Sequence, residues 1–102
     1  MRLLRENLTA VQRRQFDMRG SFEVSGGETG RRYRIRRGLQ MNVEQLDHRG
    51  RPVCVLCFVP DGSLVMGDVM LAQKLALELF ELDTLAAANR FSPHPSLWAG
   101  MP

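Results

Sequence analysis

The chain lacks several features that mark large classes of protein. Its 102 residues contain only two histidines, two cysteines, one tryptophan and one tyrosine. No apolar run is long enough to cross a bilayer as a helix, and the N-terminal segment, residues 1–7, has no apolar core of a secretory signal. These absences argue against a membrane span, an exported disulfide scaffold and a metal site with many ligands. We therefore expect a cytoplasmic protein with reduced cysteines.

The overall composition of the chain is typical of one folded unit. Hydrophobic residues make up 44% of the chain and charged residues 25%, which favours a globular protein over a disordered one. The net charge of +3 is mildly basic, as in many nucleic-acid-binding proteins and many others. We expect a single domain over residues 1–91, followed by a flexible, proline-containing tail over residues 92–102. Trp98 in that tail could dock on the domain or on a partner.

Hydrophobic periodicity predicts a helix followed by four strands. Leu4, Leu8 and Val11 lie at helical spacing within residues 3–18, and Gly20 is a plausible stop. The predicted strands are residues 21–25, 32–36, 41–46 and 53–59. The last strand is continuously apolar, which is typical of a strand covered on both faces. Short, turn-rich links between the strands predict an antiparallel meander, because a parallel crossover needs a dozen or more residues.

A second, longer helix is predicted after residue 67. Asp68 is expected to cap it, and residues 69–82 contain no glycine or proline. The expected core stripe comprises Leu71, Leu75, Leu79 and Leu82, widened by Val69, Ala72, Ala76 and Phe80. The polar stripe comprises Lys74, Glu78 and Glu81. A homodimer is the alternative if part of the broad apolar face stays uncovered.

The predicted fold class is therefore α+β. An N-terminal helix precedes a four-stranded antiparallel meander, and a C-terminal helix packs on the sheet. Asp83 and Thr84 leave two possibilities open for that helix. It either continues past them or breaks there, with a second short helix running to Asn89.

One long stretch of the chain resembles a small uncharacterised bacterial domain family. The resemblance covers roughly residues 20–90. It is carried by TGRRYRIR at residues 29–36, Asn42-Val43, Leu56-Cys57-Phe58 and GDVMLAQKLALE at residues 67–78. It implies one folding unit and attaches no activity, cofactor or catalytic residue to the chain.

Two short motifs have both a chemical and a structural interpretation. Cys54 and Cys57 form a CxxC spacing, as in redox pairs and zinc sites. They lie inside an apolar strand, where residues three apart point to opposite faces, and no second CxxC exists. We interpret them as buried structural thiols. Residues 26–31, GGETGR, suggest a phosphate cradle but lack the Lys-Ser/Thr ending and the helix of a P-loop. We predict a hairpin connection whose glycines supply positive φ angles.

The densest charge cluster lies in and beside the second predicted strand. The candidate anion or nucleic-acid contacts are Arg31, Arg32, Arg34, Arg36 and Arg37. Strict alternation predicts that Tyr33 and Ile35 face the core, with the three arginines of the strand on the opposite face. The planar guanidinium group suits phosphate, and Arg49 and Arg51 could extend the patch. Glutamates at positions 23, 28 and 44 could instead neutralise it through cross-strand pairs.

Nothing in the sequence indicates catalysis, a cofactor or a bound metal. Neither His48 nor His94 has an evident nucleophile partner, and Asp61 and Asp68 lie where capping is the usual role. The sequence thus favours a non-enzymatic binding or protein-interaction module with an arginine-rich sheet face. Such a module could self-associate through its apolar helical surface. The alternative is a nucleic-acid-binding accessory protein that contacts phosphates through the same arginines, and a small enzyme ranks third.

Overall fold

Nine helices and strands follow one another in residues 1–58 and 65–93, the part of the chain that the computed structural model describes. They are α1 (Arg2–Glu6), α2 (Ala10–Arg19), β1 (Ser21–Ser25), β2 (Arg32–Arg36), β3 (Val43–Leu46), β4 (Pro52–Cys57), α3 (Met66–Leu79), α4 (Glu81–Ala87) and β5 (Asn89–Phe91). The fold is α+β, as predicted. It differs from the prediction in having a fifth strand and in dividing the N-terminal helix in two.

The five strands form one antiparallel sheet, in which each strand pairs with the next one along the chain. Tyr33 lies opposite Val24 on β1, and Ile35 lies opposite Phe22 on β1 and Val43 on β3. Both β2 side chains are fully buried, so their predicted core orientation is confirmed. β5 has only three residues, too few to show alternation in the sequence.

The predicted helix over residues 3–18 is interrupted by a capping box. Thr9 Oγ1 accepts a hydrogen bond from the Gln12 backbone N–H at 3.1 Å, and Gln12 Oε1 accepts one from the Thr9 N–H at 3.0 Å. This reciprocal arrangement starts a new helix. Because the helical phase restarts there, Gln12 and Phe16 are buried and Val11 is exposed. The prediction that Val11 joins the core stripe is therefore wrong.

Helix α2 covers the free edge of β1. It ends at Gly20, in a left-handed conformation with φ 70°, which confirms the predicted stop. Gln12 Nε2 donates to the Glu23 carbonyl at 2.9 Å, and the Glu23 N–H donates to Gln15 Oε1 at 2.9 Å. These two glutamines satisfy backbone groups that an edge strand otherwise offers to another chain.

The C-terminal helix breaks at Phe80, whose φ of −136° and ψ of 47° are not helical. The C-terminal segment therefore forms two helices, but the break precedes Asp83 and Thr84, which lie inside α4 and do not cap it. α3 begins at Met66, with Val65 in the N-cap position and no side-chain cap. Asp68 therefore lies in the first turn, and the prediction that it caps the helix is wrong. Its carboxylate still lies near the positive end of the helix dipole.

The side of α3 that packs on the sheet is not its leucine stripe. Helix α3 packs on β1 and β2, and α1 packs on α3. The buried residues of α3 are Gly67, Val69, Met70, Gln73, Lys74 and Leu77. Leu75 and Leu79 are exposed, as is Leu82 on α4, so the prediction that these three leucines form the core is wrong. Leu71 is partly buried against the core cluster, as predicted.

A buried pair of amide side chains, Asn42 and Gln73, helps to fix which side of α3 faces the sheet. Asn42 Nδ2 donates to Gln73 Oε1 at 2.8 Å, and Gln73 Nε2 donates to Asn42 Oδ1 at 3.0 Å and to the Phe58 carbonyl at 3.1 Å. The pair joins the loop before β3 to the helix and to the chain after β4. Turning the leucines inward would move Gln73 away from these partners and leave buried amide groups unpaired.

Strand β4 is covered less completely than its sequence predicts. Val55 and Leu56 are buried, whereas Val53 is exposed beside a register shift between β3 and β4. The prediction of cover on both faces is therefore wrong for the start of this strand.

Several predictions lie outside the described residues: those for Val59, residues 60–63, His94, Trp98 and the rest of the tail from residue 94. Among the residues that are described, no helix has the length and apolar character to cross a membrane.

Candidate interaction surfaces

Two arginines of β2 are paired with glutamates on neighbouring strands. Arg32 donates from Nη2 and Nε to Glu23 Oε1, at 2.7 and 3.0 Å. Arg34 Nη1 lies 3.3 Å from Oε1 of Glu44, the residue directly opposite it on β3. The Glu44 side chain is only 2% exposed. Neutralisation by cross-strand glutamates, considered from the sequence, is therefore what the structure shows for Glu23 and Glu44.

The other three candidate arginines differ in their surroundings. Arg36 is half-buried and has an interaction partner. The guanidinium carbon of Arg37 lies 5.0 Å from the centre of the Phe16 ring, a cation–π contact. Arg31 lies close enough to Tyr33 to act on its pKa. The structure thus brings Arg32, Arg34 and Arg36 together on the face of β2 opposite Tyr33 and Ile35, as predicted, and places Arg31 and Arg37 outside the strand.

The turn between β3 and β4 borders the paired arginines, as the sequence suggested. Arg34 Nη2 donates to the Gly50 carbonyl at 3.4 Å, and Arg32 Nη1 donates to the His48 carbonyl at 3.3 Å. Arg49 and Arg51 in this turn are exposed. The exposed arginines of this region are therefore those outside the strand, Arg31 and Arg37 beside β2 and Arg49 and Arg51 in the turn.

The glycine-rich loop binds an anion, but the anion is Glu81 of the same chain. The Glu81 carboxylate is fully buried. It accepts hydrogen bonds from the Glu28 N–H at 3.0 Å, the Thr29 N–H at 2.8 Å, the Thr29 hydroxyl at 2.5 Å and the Tyr33 hydroxyl at 2.6 Å. Glu28 completes the junction by accepting the Leu82 N–H at 2.8 Å. The hairpin loop and the start of α4 are therefore locked together.

Close approach, rather than a positive φ, explains the first two glycines of the loop. A Cβ on Gly26 would lie 2.1 Å from the Glu81 carboxyl group, and one on Gly27 would lie 1.8 Å from the Glu78 carbonyl oxygen. Only Gly30 of this loop has a positive φ, 73°. The expectation that all the loop glycines supply positive φ angles is correct for Gly30 alone.

The ionisation of this cluster suits a structural role. Burial raises the pKa of Tyr33 above its usual value, and the hydrogen bond and charge of Glu81 raise it further. Burial also tends to raise the pKa of Glu81, but the hydrogen bonds from Thr29, Tyr33 and the loop backbone outweigh burial and lower it. Tyr33 is thus a neutral donor and Glu81 a charged acceptor at neutral pH. Neither group has a pKa near the neutral pH that suits general acid–base catalysis.

The cysteines have no geometry for a redox pair. Cys54 lies opposite Gln45, and Cys57 lies opposite Asn89, on opposite faces of β4. Both are free thiols and partly buried. Among the described residues, no group of three or more histidine, cysteine, aspartate and glutamate side chains could hold a metal ion.

Helices α3 and α4 expose apolar side chains where the sequence predicted core. Leu75, Leu79, Phe80 and Leu82 are 42%, 61%, 61% and 52% exposed, and we call these four residues the leucine face. Lys74 and Glu81, in contrast, are 6% and 0% exposed. The sequence contained one signal of this inversion, since Met70 and Leu77 give α3 a second apolar side outside the predicted leucine stripe. Exposed apolar clusters of this kind mark binding surfaces more often than isolated leucines do.

A groove of about 310 Å³ lies between α3, α4 and the end of β4. Its lining includes Phe58, Ala72, Ala76, Asp83, Thr84 and Ala87. The Thr84 hydroxyl donates to the Ala76 carbonyl at 3.2 Å, which ties α4 to α3 along the groove. Ala72 and Ala76 each precede a residue of the leucine face by three positions, so groove and face follow the same helix.

A second concavity of about 450 Å³ lies between α1 and α2. Its side chains are engaged with one another or with the backbone. Arg2 pairs with Glu6 at 3.0 Å, Arg5 pairs with Asp17, and Arg13 donates to the Arg5 carbonyl at 3.2 Å. A ligand in this concavity would therefore compete with interactions that these side chains already make.

No family model matches the chain, and no curated protein or solved structure matches it either. The resemblance to a small bacterial domain family stays a prediction. The function is therefore argued from the geometry of the molecule.

Proposed function

We propose that this domain is a non-enzymatic protein-interaction module that binds its partner through the leucine face. The observation that carries the proposal is the inverted helix, which directs leucines to solvent while lysine, glutamine and glutamate are buried. Covering one such leucine contributes on the order of 1 kcal/mol. A partner surface is the natural means of removing these four side chains from water.

The alternative, nucleic-acid binding through the arginines of β2, has weaker support. Arg32 and Arg34 would have to leave Glu23 and Glu44 to reach phosphates. Separation would leave the Glu44 carboxylate buried without its partner, which is costly. Tyr33, the single tyrosine, is buried and offers no stacking surface to a base. An arginine-rich sheet face is therefore a secondary feature of the proposed module.

Site-specific photo-crosslinking tests the proposal. Benzoylphenylalanine is placed at position 79 on the leucine face or, as a control, at position 18 on α2, where Met18 is 79% exposed. In cells that make the protein, we expect a discrete crosslinked product from position 79 that Leu75→Gln reduces. Position 18 should give no such product. Equal products from both positions, or none from position 79, would argue against this binding surface.

A further inference from the structure

The helices that carry the leucine face are acidic, although the whole chain is basic. Residues 65–88 contain one basic side chain, Lys74, and four acidic ones, in a chain of net charge +3. Lys74 is buried and pairs with Glu78 at 2.6 Å. Glu81 is buried in its own hydrogen-bonded cluster. The charge that this surface presents to a partner therefore comes from the remaining carboxylates, Asp68 and Asp83.

Those two carboxylates have no ion-pair partner among the residues that the structure describes. Among the ion pairs of the described residues, none involves Asp68 or Asp83. Asp83 is exposed and lies on the rim of the groove. Asp68 precedes Ala72 by one helical turn and Leu75 by two, which places it on the same side of α3. The apolar surface thus has unpaired negative charge along its length.

The shape of the surface suits a helix. Leu75 and Leu79 form a ridge with a spacing of one turn, and beside it runs the groove lined by alanine methyl groups and the Phe58 ring. A ridge beside a groove accepts the side chains of a second helix at i, i+3 and i+4 spacing. The volume of about 310 Å³ accommodates bulky apolar anchors from that helix.

We infer, on the basis of the proposed function, that the leucine face and the groove bind an amphipathic helix of a partner protein whose polar side is rich in lysine or arginine. The apolar side of the partner covers the leucines and enters the groove. Its cations lie against Asp68 and Asp83. A second copy of the same surface fits less well, because it brings a second set of carboxylates and no free cation on these helices.

Two model peptides test this inference. Both have the same helical leucine pattern, with lysine at every polar position in one and glutamate in the other. Fluorescence anisotropy is expected to show that the leucine–lysine peptide binds at least about tenfold more tightly, which is 1.4 kcal/mol. Its affinity should fall as salt screens the carboxylates. Elsewhere the basic chain repels a cationic peptide, so non-specific attraction does not explain such a preference.

Variants of the full chain locate the binding. Leu79→Gln should weaken the binding of the leucine–lysine peptide by about tenfold, as expected for an apolar contact in the centre of an interface. Asp83→Asn should weaken it by about two- to fivefold, the range of one exposed ion pair. Met18→Gln is the matched control on α2 and should leave the affinity unchanged.

Equal affinity for the two peptides, or no effect of Leu79→Gln and Asp83→Asn, would overturn the inference. A concentration-dependent dimer that Leu79→Gln abolishes, seen by sedimentation velocity, would also overturn it, since the occupant would then be a second copy. That dimer would nevertheless support the proposed function. If variants of the leucine face alter neither peptide binding nor crosslinking, the proposed function fails as well.

Discussion

At the scale of the residue, a single buried charge joins distant parts of the fold. Glu81 accepts hydrogen bonds from two backbone N–H groups and two hydroxyl groups, all from the β1–β2 loop and β2. A buried carboxylate is tolerated when donors replace its lost hydration in this way. Gly26 and Gly27 belong to the same arrangement, because any larger residue there would collide with Glu81 or with the helix backbone.

We expect Glu81→Gln to lower the free energy of unfolding by about 2–3 kcal/mol, the value of one or two hydrogen bonds to a charged group. The carboxamide is neutral, and its NH₂ group meets donors where the carboxylate accepted. Urea denaturation at neutral pH measures the change. Tyr33→Phe serves as the matched variant, since it removes one donor from the same cluster and should cost less.

The pH dependence of stability is part of the same prediction. The pKa of Glu81 in the folded protein lies below its ordinary value, so the charged form is favoured by folding. Its stabilisation is present above the unfolded pKa of about 4.3 and is lost as the pH falls through the lower folded value. The wild-type protein should therefore lose stability on acidification more steeply than Glu81→Gln. Identical slopes for the two proteins would contradict this role of Glu81.

At the scale of the element, the side of α3 that faces the sheet determines which side chains are left exposed to solvent. Both sides of this helix are apolar, so burying either one is favourable. The side that is buried contains Met70 and Leu77 together with Gln73, which pairs with Asn42. The other side is left to solvent and becomes the leucine face.

Substitutions of Leu77 and Leu79 compare the buried and the exposed side of α3. We expect Leu77→Ala to destabilise the domain by about 2–5 kcal/mol, because Leu77 is fully buried in the core cluster. Leu79→Ala should change the stability by no more than about 0.5 kcal/mol, because Leu79 is 61% exposed. Thermal or urea unfolding of the two variants measures the difference. A large loss from Leu79→Ala would show that this side of α3 is packed rather than available to a partner.

At the scale of the whole molecule, acidic and basic side chains are unevenly distributed over the described elements. Helices α1 and α2, the sheet and its turns are rich in arginine, of which Arg32 and Arg34 are paired with glutamates on neighbouring strands, whereas α3 and α4 are acidic around an apolar surface. A uniformly basic surface attracts phosphate backbones, but a divided one favours partners with a matching pattern. This distribution supports the proposed binding surface on α3 and α4.

We expect weak binding to nucleic acid. With Arg32 and Arg34 occupied by glutamates, the dissociation constant for single- or double-stranded DNA at physiological salt should be about 10⁻⁴ M or weaker. Fluorescence anisotropy with a labelled oligonucleotide measures it. Tight, salt-sensitive binding that Arg49→Ala and Arg51→Ala weaken would contradict this expectation. Arg49 and Arg51 are exposed, so replacing them by alanine tests nucleic-acid binding without breaking a buried ion pair.

The sequence by itself determined the features that depend on near neighbours. Alternation alone placed Tyr33 and Ile35 in the core, and short links between strands were enough to predict the meander. The pairing of arginines with glutamates across strands could also be predicted, because the register of a hairpin brings residues that are close in the sequence together. The capping box at Thr9 and Gln12 also depends on near neighbours, since its two residues are three positions apart in the sequence.

Only the tertiary structure decided the features that depend on distant contacts. The partners of Glu81 on the glycine loop lie more than fifty positions earlier in the chain, and the Asn42 partner of Gln73 lies 31 positions away. Helical periodicity shows that α3 has apolar sides but not which side the sheet covers. That choice follows from hydrogen bonds and packing that exist only once the chain has folded, and it is the choice that creates the leucine face.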